Sequence, residues 1–166
     1  MSNTSPKLYV GTWHKYASGS IAGKWLELDD YSDQSEFYSA CHELHSNEHD
    51  PEFMFQDAEY LPSGSYGESW VSEQLWDFFD LDSHDQEVIE AYAQITNFEQ
   101  AMENALDRFA GCCDSHNDFV EEWIENMGID IPSGLEIDLE ATWRANLTHD
   151  YSDIRIDGEN YYFHSN

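Results

Sequence analysis

Residues 98–109 read FEQAMENALDRF, the clearest structural pattern in the chain. The apolar residues recur at i, i+3, i+4, i+7, i+8 and i+11, the spacing of one face of an α-helix. They are Phe98, Ala101, Met102, Ala105, Leu106 and Phe109. Glu99, Glu103 and Asp107 fall four residues apart and line up along another face. The stretch therefore predicts a helix with one apolar side and one row of carboxylates.

Helical spacing extends to other parts of the chain. A capping-box-like start at Ser115 and Asp118 and a stop at Gly128 indicate a second helix with an apolar and an acidic face. In addition to the helix over residues 98–109, helices are predicted over residues 32–46, 68–79, 85–95, 115–127 and 139–147.

Both ends of the chain carry strand patterns. Residues 7–14 and 21–28 are rich in β-branched and aromatic residues, and the Ser-Gly-Ser turn at 18–20 between them indicates a hairpin or paired strands. Residues 53–59 are another candidate strand, and the patterns on either side of Gly158 predict a terminal hairpin. The chain is therefore predicted to have an α+β fold.

These patterns divide the chain into three small units in a row. Pro-Ser-Gly at residues 62–64 ends the first unit, and the apolar residues that follow have helical spacing. We predict an α+β unit over residues 1–61, a mainly helical unit over residues 62–105 and an α+β unit over residues 106–166. Together they would expose carboxylates on a continuous outer surface.

The charge of the chain is extreme for its length. Its 166 residues include 35 Asp and Glu against 6 Lys and Arg, a formal net charge of −29 at pH 7. Residues 25–107 hold 22 acids and no Lys or Arg, and this field opposes a compact fold. Aromatic residues make up 15% of the chain, which favours a folded protein over a disordered one. The charge must therefore serve a function that outweighs its destabilisation of the folded state.

This charge indicates the class of partner. B-form DNA carries about one charge per 1.7 Å, so the charge of the chain equals that of roughly 15 base pairs. Such a field repels nucleic acid and anionic membranes and attracts proteins that have a basic groove. We therefore expect a DNA-binding protein as the partner, and neither nucleic acid nor a membrane. Adaptation to high salt is the alternative, and the aromatic content weighs against it.

Catalytic and metal-binding motifs are missing from the sequence, which has no nucleophile elbow, phosphate-binding loop or His-Glu-x-x-His. Two groups of possible metal ligands lack a recognised zinc spacing. They are Cys41, His42, His45 and His49, and Cys112, Cys113 and His116. We expect no enzyme, no metal and no cofactor, with a metal-dependent hydrolase as the outside alternative. Three cysteines and the lack of a signal or membrane segment favour a reducing cytoplasm.

Four segments carry a family resemblance. They are YVGTWHKYASGSIAGKWLEL at 9–28, MFQDAE at 54–59, RFAGCCDSHNDFVEEW at 108–123 and IDLEATWRANLTHDY at 137–151. Together they resemble ArdA antirestriction proteins from end to end. The resemblance implies a protein of plasmids and conjugative elements that blocks Type I restriction-modification enzymes by occupying their DNA groove. It also implies an elongated three-part chain that dimerises end to end into a curved, duplex-like rod.

The resemblance also implies roles for residues. The family's antirestriction motif corresponds to residues 118–131, near the dimer contact, for which Phe109, Phe119 and Trp123 are candidates. Cys112 and Cys113 depart from the aromatic residue expected in this loop. The candidate mimic surface consists of acids from the predicted helices and from the dimer region. These are Asp77, Asp80, Asp82, Asp85, Glu87, Glu90, Glu99, Glu103, Asp107, Asp114, Asp118, Glu121, Glu122 and Glu125.

The sequence thus predicts a homodimeric antirestriction protein that competes with DNA for a Type I enzyme. The proposed mechanism is release of the enzyme's counterions to carboxylates instead of phosphates. The alternative is an acidic decoy or regulator of another DNA-binding protein.

Overall fold

The structure is a computed structural model that describes residues 4–166. These residues form seven α-helices and two three-stranded antiparallel sheets, which confirms the predicted α+β class. The chain folds into two compact units, Met1–Gln86 and Glu87–Asn166. Their boundary falls inside the central unit predicted over residues 62–105. The three-unit division and its elongated arrangement stay predictions.

The sheet of the first unit has the strand order β2-β1-β3. It consists of β1 (Lys7–Thr12), β2 (Lys24–Glu27) and β3 (Phe53–Glu59). The central strand β1 is antiparallel to both neighbours, which confirms the predicted pairing of the first two strands. Leu8 and Val10 of β1 are both fully buried, because alternate side chains of a strand point to the same face.

The first strand is shorter than the stretch predicted over residues 7–14. Trp13–Ala17 form a short helix, α1, that the sequence patterns did not predict. The side chain of Thr12 accepts a hydrogen bond from the Lys15 N–H at 3.2 Å and caps this helix. The cap ends β1 and starts α1.

The longer helix α2 (Gln34–Leu44) confirms the helix predicted over residues 32–46. It begins after Asp33, whose carboxylate accepts a hydrogen bond from the Glu36 N–H at 2.8 Å. Phe37 of α2 packs on Phe55 of β3, with ring centroids 5.9 Å apart. This contact places the apolar face of α2 against the sheet.

Helix α3 (Gln74–Phe79) is shorter than the helix predicted over residues 68–79. The carbonyl of Glu68 accepts a hydrogen bond from the Phe55 N–H at 2.8 Å. The Ser72 N–H, which would bond Glu68 in a helix, donates to a different carbonyl. These bonds satisfy the backbone in an extended form, so the helix starts later than predicted.

Helix α4 (Ser83–Ile95) begins in the first unit and continues into the second. The second unit contains α5 (Phe98–Arg108), β4 (Phe109–Cys113), α6 (His116–Asn126), α7 (Leu139–Thr142), β5 (Tyr151–Ile156) and β6 (Glu159–His164). A π-helical turn over Trp143–Leu147 follows α7. The predicted C-terminal hairpin and the helices α4, α5 and α6 are confirmed. The sheet of this unit has the order β4-β6-β5.

Strand β4 was not predicted from the sequence. Phe109 was assigned to the end of a helix, but it begins this strand, and α5 ends at Arg108. The pairing of β4 with β6 shifts register between Phe109 and Gly111. Gly111 has a φ of 140°, which glycine adopts far more readily than other residues. The glycine therefore accommodates the register shift within β4.

A core made largely of apolar and aromatic side chains joins β4, α6, the π-helical turn and β6. Its buried members are Cys113, Phe119, Val120, Ile124, Trp143, Leu147 and Tyr162. The core takes up the apolar face of α6 and leaves the acidic face of that helix outside. No helix within residues 4–166 has the length and apolar character needed to cross a membrane.

Candidate functional site

The carboxylates of the chain lie at its surface. All 35 acidic residues fall within the described residues, and none of them is buried. Four are partly covered, namely Glu27, Glu48, Asp85 and Asp153, and the others are exposed. The negative charge is therefore available to solvent and to partners over both units.

Helix α5 presents a row of acids. Glu99, Glu103 and Asp107 are exposed, and successive members lie about 6 Å apart along the helix axis. The opposite face is anchored by three residues at most 1% exposed, namely Phe98, Ala101 and Ala105. Leu106, predicted on the apolar face, is 41% exposed. Burial of one face thus fixes the direction in which the acidic row points.

Helix α6 carries four exposed acids, Asp118, Glu121, Glu122 and Glu125. The Ser115 hydroxyl accepts a hydrogen bond from the Asp118 N–H at 3.2 Å and caps the helix, as the sequence indicated. The same hydroxyl donates to the Asp118 carboxylate at 2.6 Å. Asp114, also exposed, lies between β4 and this helix. The start of α6 is thus fixed, and with it the direction of its acids.

A cleft of about 310 Å³ lies between the end of α4 and the β5–β6 turn. Glu87 and Glu90 of α4 and Asp157 and Glu159 of the turn line it, with Tyr161. Glu90 remains exposed overall, but neighbouring side chains of the cleft partly desolvate its carboxylate and raise its pKa, and the negative charge of Glu87 raises it further. Crowding of carboxylates therefore destabilises the charged form of Glu90.

The first unit contributes the remaining acids of the candidate surface. Asp77, Asp80 and Asp82 are exposed at α3 and in the connection to α4, and Asp85 is half-buried. The Asp82 carboxylate accepts a hydrogen bond from the Asp85 N–H at 2.9 Å. Asp82 therefore also stabilises the first turn of α4.

None of the fourteen acids takes part in an ion pair within residues 4–166. The ion pairs found there are Lys7–Glu59, Lys15–Glu48, His116–Asp153 and Arg144–Glu140. Three of the six Lys and Arg residues, Lys7, Lys15 and Arg144, thus pair with acids outside the fourteen. The fourteen carboxylates remain available to an external cation.

The three candidate dimer residues differ in exposure. Phe119 is 5% exposed and belongs to the core of the second unit. Trp123 is half-buried against that core, and Phe109 is half-buried with its ring 5.8 Å from that of Phe163. Trp123 and Phe109 therefore retain surface that a second copy could cover, and the dimer contact stays a prediction.

Two members of the first group of possible metal ligands, Cys41 and His45, are buried, whereas His42 and His49 are exposed. His45 is 1% exposed, with Nε2 3.0 Å from the Val10 carbonyl oxygen and Nδ1 2.6 Å from the Lys15 ammonium. Because an ammonium only donates, Nδ1 accepts and Nε2 carries the proton. Cys41 is buried, and burial raises its pKa to about 12. Neither side chain is available to a metal ion.

In the second group Cys113 is buried, and Cys112 and His116 are partly exposed. Cys112 and Cys113 donate to the carboxylates of Glu159 and Glu122 at 3.4 and 3.6 Å. Burial, followed by these negative neighbours, raises the two thiol pKa values to about 11 and about 12. Both residues are therefore thiols at neutral pH, which makes them poor nucleophiles and metal ligands.

Within residues 4–166, one group of three potential metal ligands has converging ligand atoms. It consists of Glu27, Asp29 and Asp30, whose ligand atoms lie within 4.8 Å of one another. None of these residues was among the candidates from the sequence.

A groove beside α6 was also missed. Its other wall is the segment over residues 127–138, which leads to α7, and its volume is about 400 Å³. The segment reads MGIDIPSGLEID, and its Gly, Pro and Ser indicate a loop. Ile131 and Ile137 are nevertheless 43% and 36% exposed at the groove. Because the apolar residues of this loop do not have helical spacing, the sequence did not predict that they line a groove.

A protein-family model matches most of the chain. The model described as "Antirestriction protein (ArdA)" matches residues 8–159 of the 166. Comparison with individual curated proteins gives no match.

Proposed function

Because the chain belongs to the ArdA family of antirestriction proteins, we propose that it inhibits Type I restriction-modification enzymes as an acidic mimic of B-form DNA. The protein occupies the groove in which the enzyme binds DNA. It acts in the cytoplasm, where that enzyme meets incoming DNA, and it performs no chemistry of its own.

One observation carries this proposal: fourteen candidate acids stand outside every ion pair formed by residues 4–166. A surface evolved for stability alone would intersperse cations among them, since like charges four residues apart destabilise a helix. Glu99, Glu103 and Asp107 instead repeat a distance of the same order as that between phosphates on one strand. The charge thus favours binding of a partner and lowers the stability of the folded protein.

Competition follows from the physics of the groove. A basic groove that closes on carboxylates releases the counterions that it would release on binding phosphates. Affinity then falls steeply as salt is added, and no single contact dominates. Electrostatic steering also accelerates the encounter, which helps an inhibitor that must act before DNA is cut.

The proposal includes a homodimer, which would double the length of the charged track. Partly exposed apolar surface at Phe109 and Trp123 supports a contact in this part of the second unit. The elongated row of three units belongs to the same proposal.

The test is competition between this protein and a DNA duplex for a purified Type I enzyme. The duplex displaces the protein, and the protein displaces the duplex, with a steep dependence on salt. Failure of the duplex to displace the protein contradicts mimicry. Equal affinity for unrelated DNA-binding proteins would favour a general acidic decoy.

Graded variants separate a distributed field from a specific site. Replacement of Glu99, Glu103 and Asp107 by Lys changes the charge twice as much as replacement by Gln, Gln and Asn. The lysine variant therefore weakens inhibition more than the amide variant, while each single change does little. Loss of inhibition on one single change would contradict the distributed field. Circular dichroism checks that each variant is folded.

A further inference from the structure

The groove beside α6 combines apolar walls with a rim of carboxylates. Ile131 and Ile137 lie on the wall formed by residues 127–138, and Leu139 at the start of α7 lines the groove with them. The rim consists of Glu121 and Glu125 of α6 and Glu136 of the facing segment, which are all exposed. Two kinds of binding surface therefore meet in one concave site.

Hydrogen bonds fix both ends of the 127–138 segment that forms one wall of the groove. At the end of α6 the Gly128 N–H donates to the Glu125 carbonyl at 3.1 Å, and the Ile129 N–H donates to the Ile124 carbonyl at 3.2 Å. These two bonds form a Schellman motif. At the other end, the side chain of Asp138 caps α7. A partner therefore does not have to order this segment on binding.

Four apolar side chains of the segment are exposed within nine residues of one another. In addition to Ile131 and Ile137, Ile129 is 46% and Leu135 64% exposed. Contiguous exposed apolar residues mark interaction surfaces more often than scattered ones. The segment thus has the character of a binding surface.

Charge selects the occupant of the groove. No cation of residues 4–166 forms an ion pair with Glu121, Glu125 or Glu136. A second copy of the chain offers 35 acids and 6 Lys or Arg, so it complements this rim less well than a segment rich in Lys or Arg. A cationic segment with an apolar side chain complements both the rim and the walls.

We propose that this groove binds a segment of the inhibited enzyme in which an apolar side chain is flanked by Lys or Arg. Ile131 and Ile137 cover the apolar side chain, and the three glutamates receive the cations. The inference rests on the proposed function, because it takes the restriction enzyme as the source of the segment. The groove adds an apolar contact that a DNA duplex does not offer, so the protein binds by more than its negative charge.

An anchor of this kind changes the salt dependence of binding. Contacts between carboxylates and cations weaken as salt is added, whereas burial of apolar surface does not. The groove therefore supplies a part of the affinity that persists when the electrostatic part has been screened.

The first experiment compares Ile131→Ser/Ile137→Ser with the control Ile21→Ser/Ile95→Ser, which changes two exposed isoleucines outside the groove. Binding to purified Type I enzyme is measured at low and high salt. The groove variant should bind about tenfold more weakly at both, with the salt slope unchanged, and the control should bind as the parent does. Equal binding by the groove variant overturns this inference and leaves the proposed function standing. If the parent protein itself fails to bind the enzyme, the proposed function is overturned.

The second experiment does not use the enzyme. Two peptides of about 15 residues, one of Leu and Lys at helical spacing and one with Ser in place of Leu, carry equal charge. Calorimetry should show tighter binding of the Leu peptide, with a negative heat-capacity change that Ile131→Ser/Ile137→Ser abolishes. Equal binding of both peptides by the parent overturns the groove. A loss of self-association in the groove variant, seen by sedimentation, also overturns it, because a second copy would then be the occupant.

Discussion

The rings of Phe119 and Tyr162 are stacked, with their centroids 3.9 Å apart and their planes inclined by 12°. This contact joins α6 to β6, and both side chains are buried. The acidic face of α6 is thus held by an aromatic pair on the opposite side of the helix. Loss of the pair would release the surface that carries the charge.

Phe119→Ala should lower the free energy of unfolding by about 3–5 kcal/mol, because it leaves a cavity beside Tyr162. Denaturant unfolding followed by circular dichroism measures the change. Phe119→Leu keeps most of the volume and should cost considerably less. Equal stability of Phe119→Ala and the parent would show that the ring is not a core residue. A test of the dimer contact should use Trp123, which is half-buried.

Gly128→Ala should destabilise the protein by about 1–2 kcal/mol, because Gly128 ends α6 with a φ of 65°. No heavy atom lies within 4 Å of an added Cβ, so the cost comes from the backbone and not from a clash. Gly128→Asn is the matched control, since Asn tolerates this conformation better and should cost less. Thermal unfolding of the three proteins gives the order. Greater loss with Asn than with Ala would contradict the backbone explanation.

Glu90→Gln should stabilise the protein at neutral pH. The pKa of Glu90 is raised above its ordinary value of 4.5 by partial desolvation and by Glu87, so protonation favours the folded state. This contribution is fully present below the ordinary pKa and is lost as pH rises through the raised pKa. The amide should therefore raise the thermal midpoint at neutral pH and have little effect at about pH 3. Glu99→Gln, which removes one charge from α5, controls for net charge. A smaller gain from Glu90→Gln than from Glu99→Gln would contradict the assignment.

Added salt should act on folding and on binding in opposite directions. Screening relieves repulsion among the carboxylates, so the unfolding midpoint should rise modestly from about 10 mM to about 0.5 M NaCl. Binding to the enzyme should weaken over the same range. Circular dichroism and a binding titration in the same buffers measure both. Unfolding of the protein at the lowest salt would instead favour adaptation to high salt.

Much of the fold follows from local pattern. The periods that predicted α5 and α6 are strong because each helix buries one face, and β3 was also predicted over its whole length. The wrong predictions lie where backbone hydrogen bonds or single glycines determine the secondary structure. Residues 68–73 are not helical because the carbonyl of Glu68 bonds to Phe55, and the irregular pairing of β4 depends on the positive φ of Gly111.

The candidate site was predictable to different degrees. Acids on the outer faces of α5 and α6 were assigned from their spacing. Carboxylates need solvent, and burial of the apolar face of each helix turns the acidic face towards the solvent. The partners of Phe119 were not predictable, since they come from distant parts of the chain such as Tyr162. The groove depends on the return of residues 127–138 to α7, and no periodic pattern encodes that path.

Strand β3 lies at the edge of its sheet, where unpaired backbone groups could add a strand from another molecule. It carries the exposed acids Asp57 and Glu59 on a chain of net charge −29. Because Glu59 is paired with Lys7, Asp57 and the net charge of the chain oppose pairing between the edges of two molecules. Near its isoelectric point of about 4.1 this protection disappears, and aggregation through the edge becomes favourable.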